Sequence, residues 1–313
     1  MDNSSRLTVA TANLFNFVEP PNAFYDFENI YSHIQWEEKC RWTKEKIESF
    51  NADIVAVQEV FSIEAATSLF HDMGYPHVAF IDQPALEDDY IYSSPVVGLA
   101  SKYPISHVQA VKPPAELADA YNVTFPEFSR KVIHATVNIP KIGEISVYVA
   151  HLKSQRPTDS QNAGATNKKL GQWLSSVQRG WEAVLLRLYM DEQYKTAPMP
   201  TILMGDMNQT LQSNITVSLL NNQEEPYTLK LEDSWHLASS EDTERKATHY
   251  HFAKGNVLDY ILLSQEFNSN SSHSIIQSIE YRIIDEHLIN PIFEHDSQAS
   301  DHAFVATHIT FSV

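Results

Sequence analysis

The chain has 313 residues, 43% of them hydrophobic, with 22 Lys and Arg against 40 Asp and Glu for a net charge of −18 at pH 7. That apolar content excludes a disordered chain, and the length is enough to bury a substantial core in one large domain over residues 1–313. The acidic balance weighs against a broad basic face of the kind that grips long nucleic acid by its phosphates, although a divalent metal can offset negative charge locally.

In chain order, the stretch Met1-Asp2-Asn3-Ser4-Ser5-Arg6 has no apolar segment of signal-peptide length, and no run of about 18 apolar residues occurs anywhere. The expectation is a soluble cytoplasmic protein with no membrane span and no evident partner protein. Leu7 to Asn13 reads as a strand ending in a polar residue, and Trp36 to Phe50 as an amphipathic helix. That helix carries the only cysteine, Cys40, so no disulfide forms within the chain and an oxidising compartment gains no support.

Asp53 to Glu59 is a continuous apolar run closed by Gln58-Glu59, as in a buried strand, and Ile63 to Met73 looks helical and stops at Gly74. Pro95 to Ser101 is another buried run, with Lys102-Tyr103-Pro104-Ile105 turning back into a strand. Residues 107–130, with Pro113, Pro114 and Pro126, read mostly as loop. Arg130 to Ile139 and Glu144 to His151 form a predicted hairpin around Pro140-Lys141-Ile142-Gly143. A polar loop over 157–167 leads into the longest helix, Asn167 to Tyr194. Thr201 to Gly205 is a strand, Asn214 to Asn221 a short helix, and Val257 to Ser264 and Ala303 to Phe311 are late strands.

Strands and helices in this alternation suit packed sheets with helices outside. Five apolar strands are read as ending in a polar residue: Asn13, Glu59, His151, Asp206 and Asp259. Strand ends that converge on one sheet edge are a usual place for a site. Two segments carry most of the chemistry. Met204-Gly205-Asp206-Met207-Asn208 closes an apolar strand with a carboxylate and an amide two residues apart, able to face one phosphate and to orient water. Ser300-Asp301-His302 places a carboxylate and an imidazole just before the last apolar run. Together they are the equipment for metal-assisted phosphoester cleavage.

These motifs, in this order from Asn13 to His302, resemble the endonuclease/exonuclease/phosphatase superfamily, which includes DNase I-like nucleases, AP endonucleases, inositol polyphosphate 5-phosphatases and neutral sphingomyelinases. The resemblance covers nearly the whole chain. It implies an α/β fold: a four-layer sandwich of two packed mixed β-sheets with helices outside. It implies a Mg²⁺ or Mn²⁺ site at Glu59, Asn13 and Asp301, consistent with the preference of Mg²⁺ for oxygen ligands. By the same resemblance Asp206 orients and deprotonates water, Asn208 and His151 contact the phosphate, and Asp259 orients His302. AP endonucleases tend to carry a different residue where His151 stands, so the chain looks closer to the DNase I, phosphatase and sphingomyelinase side.

Two cations are read as substrate-binding. Arg130 leads a strand, as an arginine often does in this family, and supports the site or reaches substrate. Lys153 alternates onto the strand face of His151, as a cation for substrate phosphate or as a solvated side chain. His249, His251, His287 and His295 show no metal-ligand spacing; His249 and Tyr250 read as substrate rim or as surface. Asp206, taken as unburied, would have a low pKa and act mostly by holding polarised water.

The first functional reading is a metal-dependent phosphoesterase acting on a small phosphorylated compound or lipid head group. The second is a DNA or RNA nuclease, for which residues 152–169 supply only Lys153, Arg156, Lys168 and Lys169 as basic side chains. The third, from another class, is an inactive binding module that uses the same pocket. Residues 107–130 and 265–297 are expected to shape substrate access.

Overall fold

The computed structural model describes residues 5–87, 89–160, 167–220, 228–238 and 244–312. Its core is a pair of six-stranded sheets built on one plan. The first runs Ile276–Ile284, Phe304–Phe311, Arg6–Phe17, Ile54–Val60, Val96–Ser101, His77–Ala79. The second runs Leu231–Asp233, Asp259–Ser264, Thr201–Asp206, Gly143–His151, Ile133–Ile139, Ile105–Ala110. In each sheet the central pair is parallel and every other pairing is antiparallel.

The layers follow from which side chains each strand turns inward. Leu7, Val9, Ile54 and Leu99 of the first sheet meet Ile133, Val147, Val149, Met204 and Ile261 of the second in one buried cluster. Alternate residues face outward. Ala10, Ala12, Val55 and Val57 pack under Trp42, Ile47 and Phe50 of the helix His33–Phe50 and Phe70 of the helix Ile63–Asp72. Tyr148, Ala150, Leu203 and Leu262 pack under Ala183, Leu186 and Met190 of the helix Lys168–Thr196. The result is the expected four-layer α/β sandwich.

Local signals set the helix ends. Ser32 and Gln35 form a reciprocal capping box, and the Asn167 side chain accepts from the Leu170 N–H at 3.0 Å. The structure adds detail to two segments and changes one expectation. Residues 107–130 are mostly irregular, as expected, and also hold the end of the edge strand Ile105–Ala110 and the short helix Ala115–Tyr121, with Pro114 at its start. Segment 265–297 contributes the strand Ile276–Ile284 to the edge of the first sheet, where only two of its nine residues are buried and no continuous apolar pattern arises. Of the helix expected over Asn214 to Asn221, a single 3₁₀ turn forms at Val217–Leu220; Asn221 lies outside the described residues, as does 161–166 of the loop expected over 157–167.

Gly205 shows why the central strand of the second sheet ends as it does. It pairs with Ala150 across the parallel ladder at φ +144°, and a Cβ built on it would lie 1.8 Å from the Ala150 carbonyl oxygen. That atom is backbone, not a flexible side-chain end that could yield. Gly205→Ala is expected to destabilise the fold by about 4 kcal/mol or more, read as a lower denaturation midpoint; a midpoint like that of wild type would contradict this packing.

Candidate active site

The two parallel pairs deliver their C-terminal ends to one edge of the sandwich, and a single amide ties them together. Asn13 Nδ2 donates to Asp206 Oδ2 at 3.2 Å and to Glu59 Oε1 at 3.4 Å. Its Oδ1 accepts from the Phe15 N–H at 3.0 Å, and the Asn16 N–H donates to Glu59 Oε2 at 3.0 Å. The backbone here is unusual: Phe15, Asn16, Glu59 and Asn208 all have positive φ, and the ladder slips between Asn13 and Phe17. Strain of this kind collects where side chains must be aimed. With its N–H₂ facing two carboxylates and its oxygen accepting from the Phe15 N–H, Asn13 braces the acids, and one lone pair of that oxygen stays open.

Asp206 is 1% exposed, not unburied as the sequence reading took it. Its Oδ1 accepts from the Asn208 N–H at 2.8 Å, and the Asn208 side chain donates to Oδ2 at 3.3 Å. His151 Nε2 lies 3.4 Å and His302 Nε2 3.9 Å from that Oδ2. Burial pushes the Asp206 carboxyl well up, His302 draws it back, and the charges of Asp259 and Glu59 raise it further. It is a stronger base than an exposed aspartate.

Asp259 arrives from the other direction. It begins its strand instead of ending one, because that strand runs antiparallel to Thr201–Asp206, with Asp206 directly opposite Asp259. His302 Nδ1 donates to Asp259 Oδ2 at 2.9 Å. Ser300 Oγ donates to the Asn13 carbonyl at 2.7 Å and accepts from the His302 N–H at 3.0 Å, so the turn before the last strand is fixed to the first. Burial alone would push the His302 pKa down; Asp259 and then Asp206 outweigh it and hold the imidazolium well above the ordinary range. His151 goes the opposite way, held well below its usual value by burial, then Arg130 and His302. The site thus pairs a neutral and a charged imidazole on one carboxylate.

Two residues take places that the sequence did not show: His249, read only as substrate rim or surface, and Lys39. His249 bridges to His302 in an isolated β pairing, and its Nε2 is 3.9 Å from Asp301 Oδ2. Candidate ligand atoms of His249, Asp301 and His302 lie within 4.8 Å of one another. Lys39, 1% exposed on the inner face of the first helix, has its ammonium 5.5 Å from the Phe15 ring and 5.6 Å from the Tyr31 ring. Burial lowers it to about 8, against the charges of Glu59 and Asp301. A lysine at a helical core position was the one available signal.

The donor set suits a hard divalent cation. Asp301 Oδ1 is buried without a hydrogen-bond partner, and burial together with the charge of Glu59 raises that carboxyl to about 6. A buried carboxylate oxygen left without a partner is costly unless a cation meets it.

Arg130 and Lys153 stand beside this centre. Arg130 Nη1 donates to the Leu152 carbonyl at 3.2 Å, the same oxygen that accepts from Asn208 Nδ2 at 3.0 Å. The strand ends at His151, so Lys153 is not placed by strand alternation. Its N–H donates to Glu182 Oε2 at 2.6 Å instead.

Residues 40–302 match the Endonuclease/Exonuclease/phosphatase family. Among solved structures, TDP2 from Caenorhabditis elegans superposes with a TM-score of 0.61 at 13% identity over 98% of this chain and 75% of that one. The human nocturnin catalytic domain with bound sulfate gives 0.61 at 17% identity, covering 99% and 98%. An AP endonuclease from Archaeoglobus fulgidus gives 0.56 at 15% identity, covering 98% and 100%. No curated protein matches the chain by sequence. Among the described residues, no helix is long and apolar enough to cross a membrane.

Proposed function

Because the chain belongs to the endonuclease/exonuclease/phosphatase family, we propose that it is a divalent-metal-dependent phosphoesterase, cleaving a small phosphorylated compound or lipid head group by direct attack of water. The observation that carries the reading is the convergence of Asp206 with His151, Asn208 and His302 around one carboxylate, backed by Asp259. Asp206 aligns the attacking water and takes its proton, a task suited to its raised basicity. His302, held as imidazolium by Asp259, stabilises negative charge on the phosphoryl oxygens. Asn208 and neutral His151 add N–H donors to the same group. Asn13 keeps Glu59 and Asp206 in register across the two sheets.

Glu59 and Asp301 would hold Mg²⁺ or Mn²⁺, with His249 at the margin. When bound, the cation supplies Lewis-acid polarisation and charge stabilisation at the scissile phosphate. Glu59→Gln is expected to weaken Mn²⁺ binding by calorimetry at least ~10-fold and to raise the Mg²⁺ needed for half-maximal turnover in parallel. Unchanged Mn²⁺ affinity would remove Glu59 from the metal set.

The acidic surface favours the small substrate over a polynucleotide. The test incubates the protein with Mg²⁺ or Mn²⁺ and three substrates: p-nitrophenyl phosphate, bis-p-nitrophenyl phosphate and supercoiled plasmid, with EDTA as control. Metal-dependent release of nitrophenol without nicking supports the reading. Nicking that depends on metal and Asp206 would replace it with a nuclease. Inertness toward all three, with the protein folded, would favour a binding module.

A further inference from the structure

The chain has only 22 Lys and Arg, yet three of them open into one cavity of about 400 Å³ beside the catalytic centre: Arg130, Lys153 and Arg156. Tyr25 and Ser94 share its wall, and Glu87 and Asp159 also line it. Among the described residues none of the three cations forms an ion pair. The loops that carry them are anchored from behind by two buried charges of the helix Lys168–Thr196. Glu182, 1% exposed, accepts from the Ser129 N–H at 2.8 Å, Ser129 Oγ at 2.6 Å and the Lys153 N–H at 2.6 Å. Arg179, 3% exposed, donates to the carbonyls of Lys153 at 2.8 Å and Ser154 at 3.2 Å. The Arg156 guanidinium sits 5.9 Å from the Tyr25 ring centroid, which gives an otherwise exposed side chain a resting place.

The cavity adjoins the catalytic centre. Arg130 and Asn208 donate to the same Leu152 carbonyl. The Tyr25 phenol, pushed up to about 12 by burial and next by the charge of Glu59, is drawn back by Arg130 and Arg156. The positive charges are incompletely matched: half-buried Lys153 is lowered by burial first, then by Arg130, Arg156 and Arg179, with only Glu182 opposing.

We propose that this cavity is an anion subsite that takes a second phosphate group of the substrate, one that is not cleaved. Guanidinium forks suit the tetrahedral oxygens of phosphate, and the volume fits a small molecule. The substrate class narrows to small phosphoesters bearing a further phosphate. This rests on the phosphoesterase reading for the first phosphate, but the subsite itself does not need turnover.

The test uses inorganic phosphate as probe, by calorimetry, in two conditions. In EDTA the carboxylates of the catalytic centre repel anions, so binding of one phosphate per chain must come from the cavity. With Mg²⁺ two phosphates are expected. Arg156→Ala and Lys153→Ala, with folding checked by circular dichroism, are each expected to weaken the EDTA-resistant binding at least ~10-fold. With Mg²⁺ they are expected to leave one phosphate. No binding in EDTA, or wild-type affinity in both variants, would overturn the subsite while leaving the phosphoesterase reading intact. Phosphate bound here in a protein that cleaves no phosphoester would keep the anion site and overturn that reading.

Discussion

Asp206→Asn is expected to lower turnover about 10³- to 10⁴-fold while leaving the protein at least as stable as wild type. The size follows from its place: removing the general base forfeits on the order of 10²–10⁴, and the loss falls at the upper end because the same carboxylate also receives Asn13, Asn208 and His151. The stability half follows from the sign of the pKa shift. Burial and then the charges of Asp259 and Glu59 raise the folded-state pKa above the unfolded value near 4, with His302 opposing. A raised carboxyl means that the native state binds its proton more tightly. The stability so gained is present below the unfolded pKa and is lost as pH rises through the folded one. At neutral pH the ionised Asp206 therefore strains the fold, and the isosteric amide relieves that strain. The check is kcat with Mg²⁺ beside thermal unfolding in EDTA across pH 4–8. A variant within tenfold of wild-type turnover would sink the general-base role; a lower midpoint at neutral pH would show that Asp206 is structural.

The contrast between what was legible in the chain and what was not follows from how each residue is encoded. Central strands are buried on both faces, so Ile54 to Val57 and Ile202 to Met204 appear as unbroken apolar runs, and their polar closing residues stand out. Gly205-Asp206 is legible for a steric reason, since only glycine fits against the Ala150 carbonyl. The edge strand Ile276–Ile284 was not, because only two of its nine residues are buried and its pattern is no cleaner than that of a loop. The place of His249 beside Asp301, beyond the rim position read for it, and the place of Lys39 were not legible because both are purely tertiary. His249 lies on a short hairpin and matters only through its pairing with His302. Lys39 looks like one more charge on an amphipathic helix until Phe15 and Tyr31 enclose it. The low-pKa expectation for Asp206 failed for the same reason: burial is set by the second sheet closing over the first, which local sequence does not report.

Asp259→Asn isolates the other half of the chemistry. Wild-type His302 is pushed down by burial, but Asp259 and then Asp206 hold its pKa well above 6.5. For a base, a raised folded pKa contributes stability that is fully present below the unfolded value and fades as pH rises through the folded one. Replacing Asp259 removes the larger of the two opposing charges and leaves burial dominant, so His302 loses its proton near neutral pH. An asparagine can also turn its N–H₂ toward Nδ1, which would force the wrong tautomer. Turnover at pH 7–8 is expected to fall by roughly 10²- to 10⁴-fold, and the alkaline limb of the kcat profile to move down by about one unit or more. The stability difference from wild type should be largest on the acid side of neutrality and shrink as pH rises, which is the opposite trend to that of Asp206→Asn. Nitrogen-15 imidazole shifts of His302 read the titration directly, independent of turnover. An alkaline limb and an imidazole titration unchanged from wild type would mean that Asp259 does not hold the proton on His302, and that the charge facing the phosphoryl group comes from elsewhere in the site.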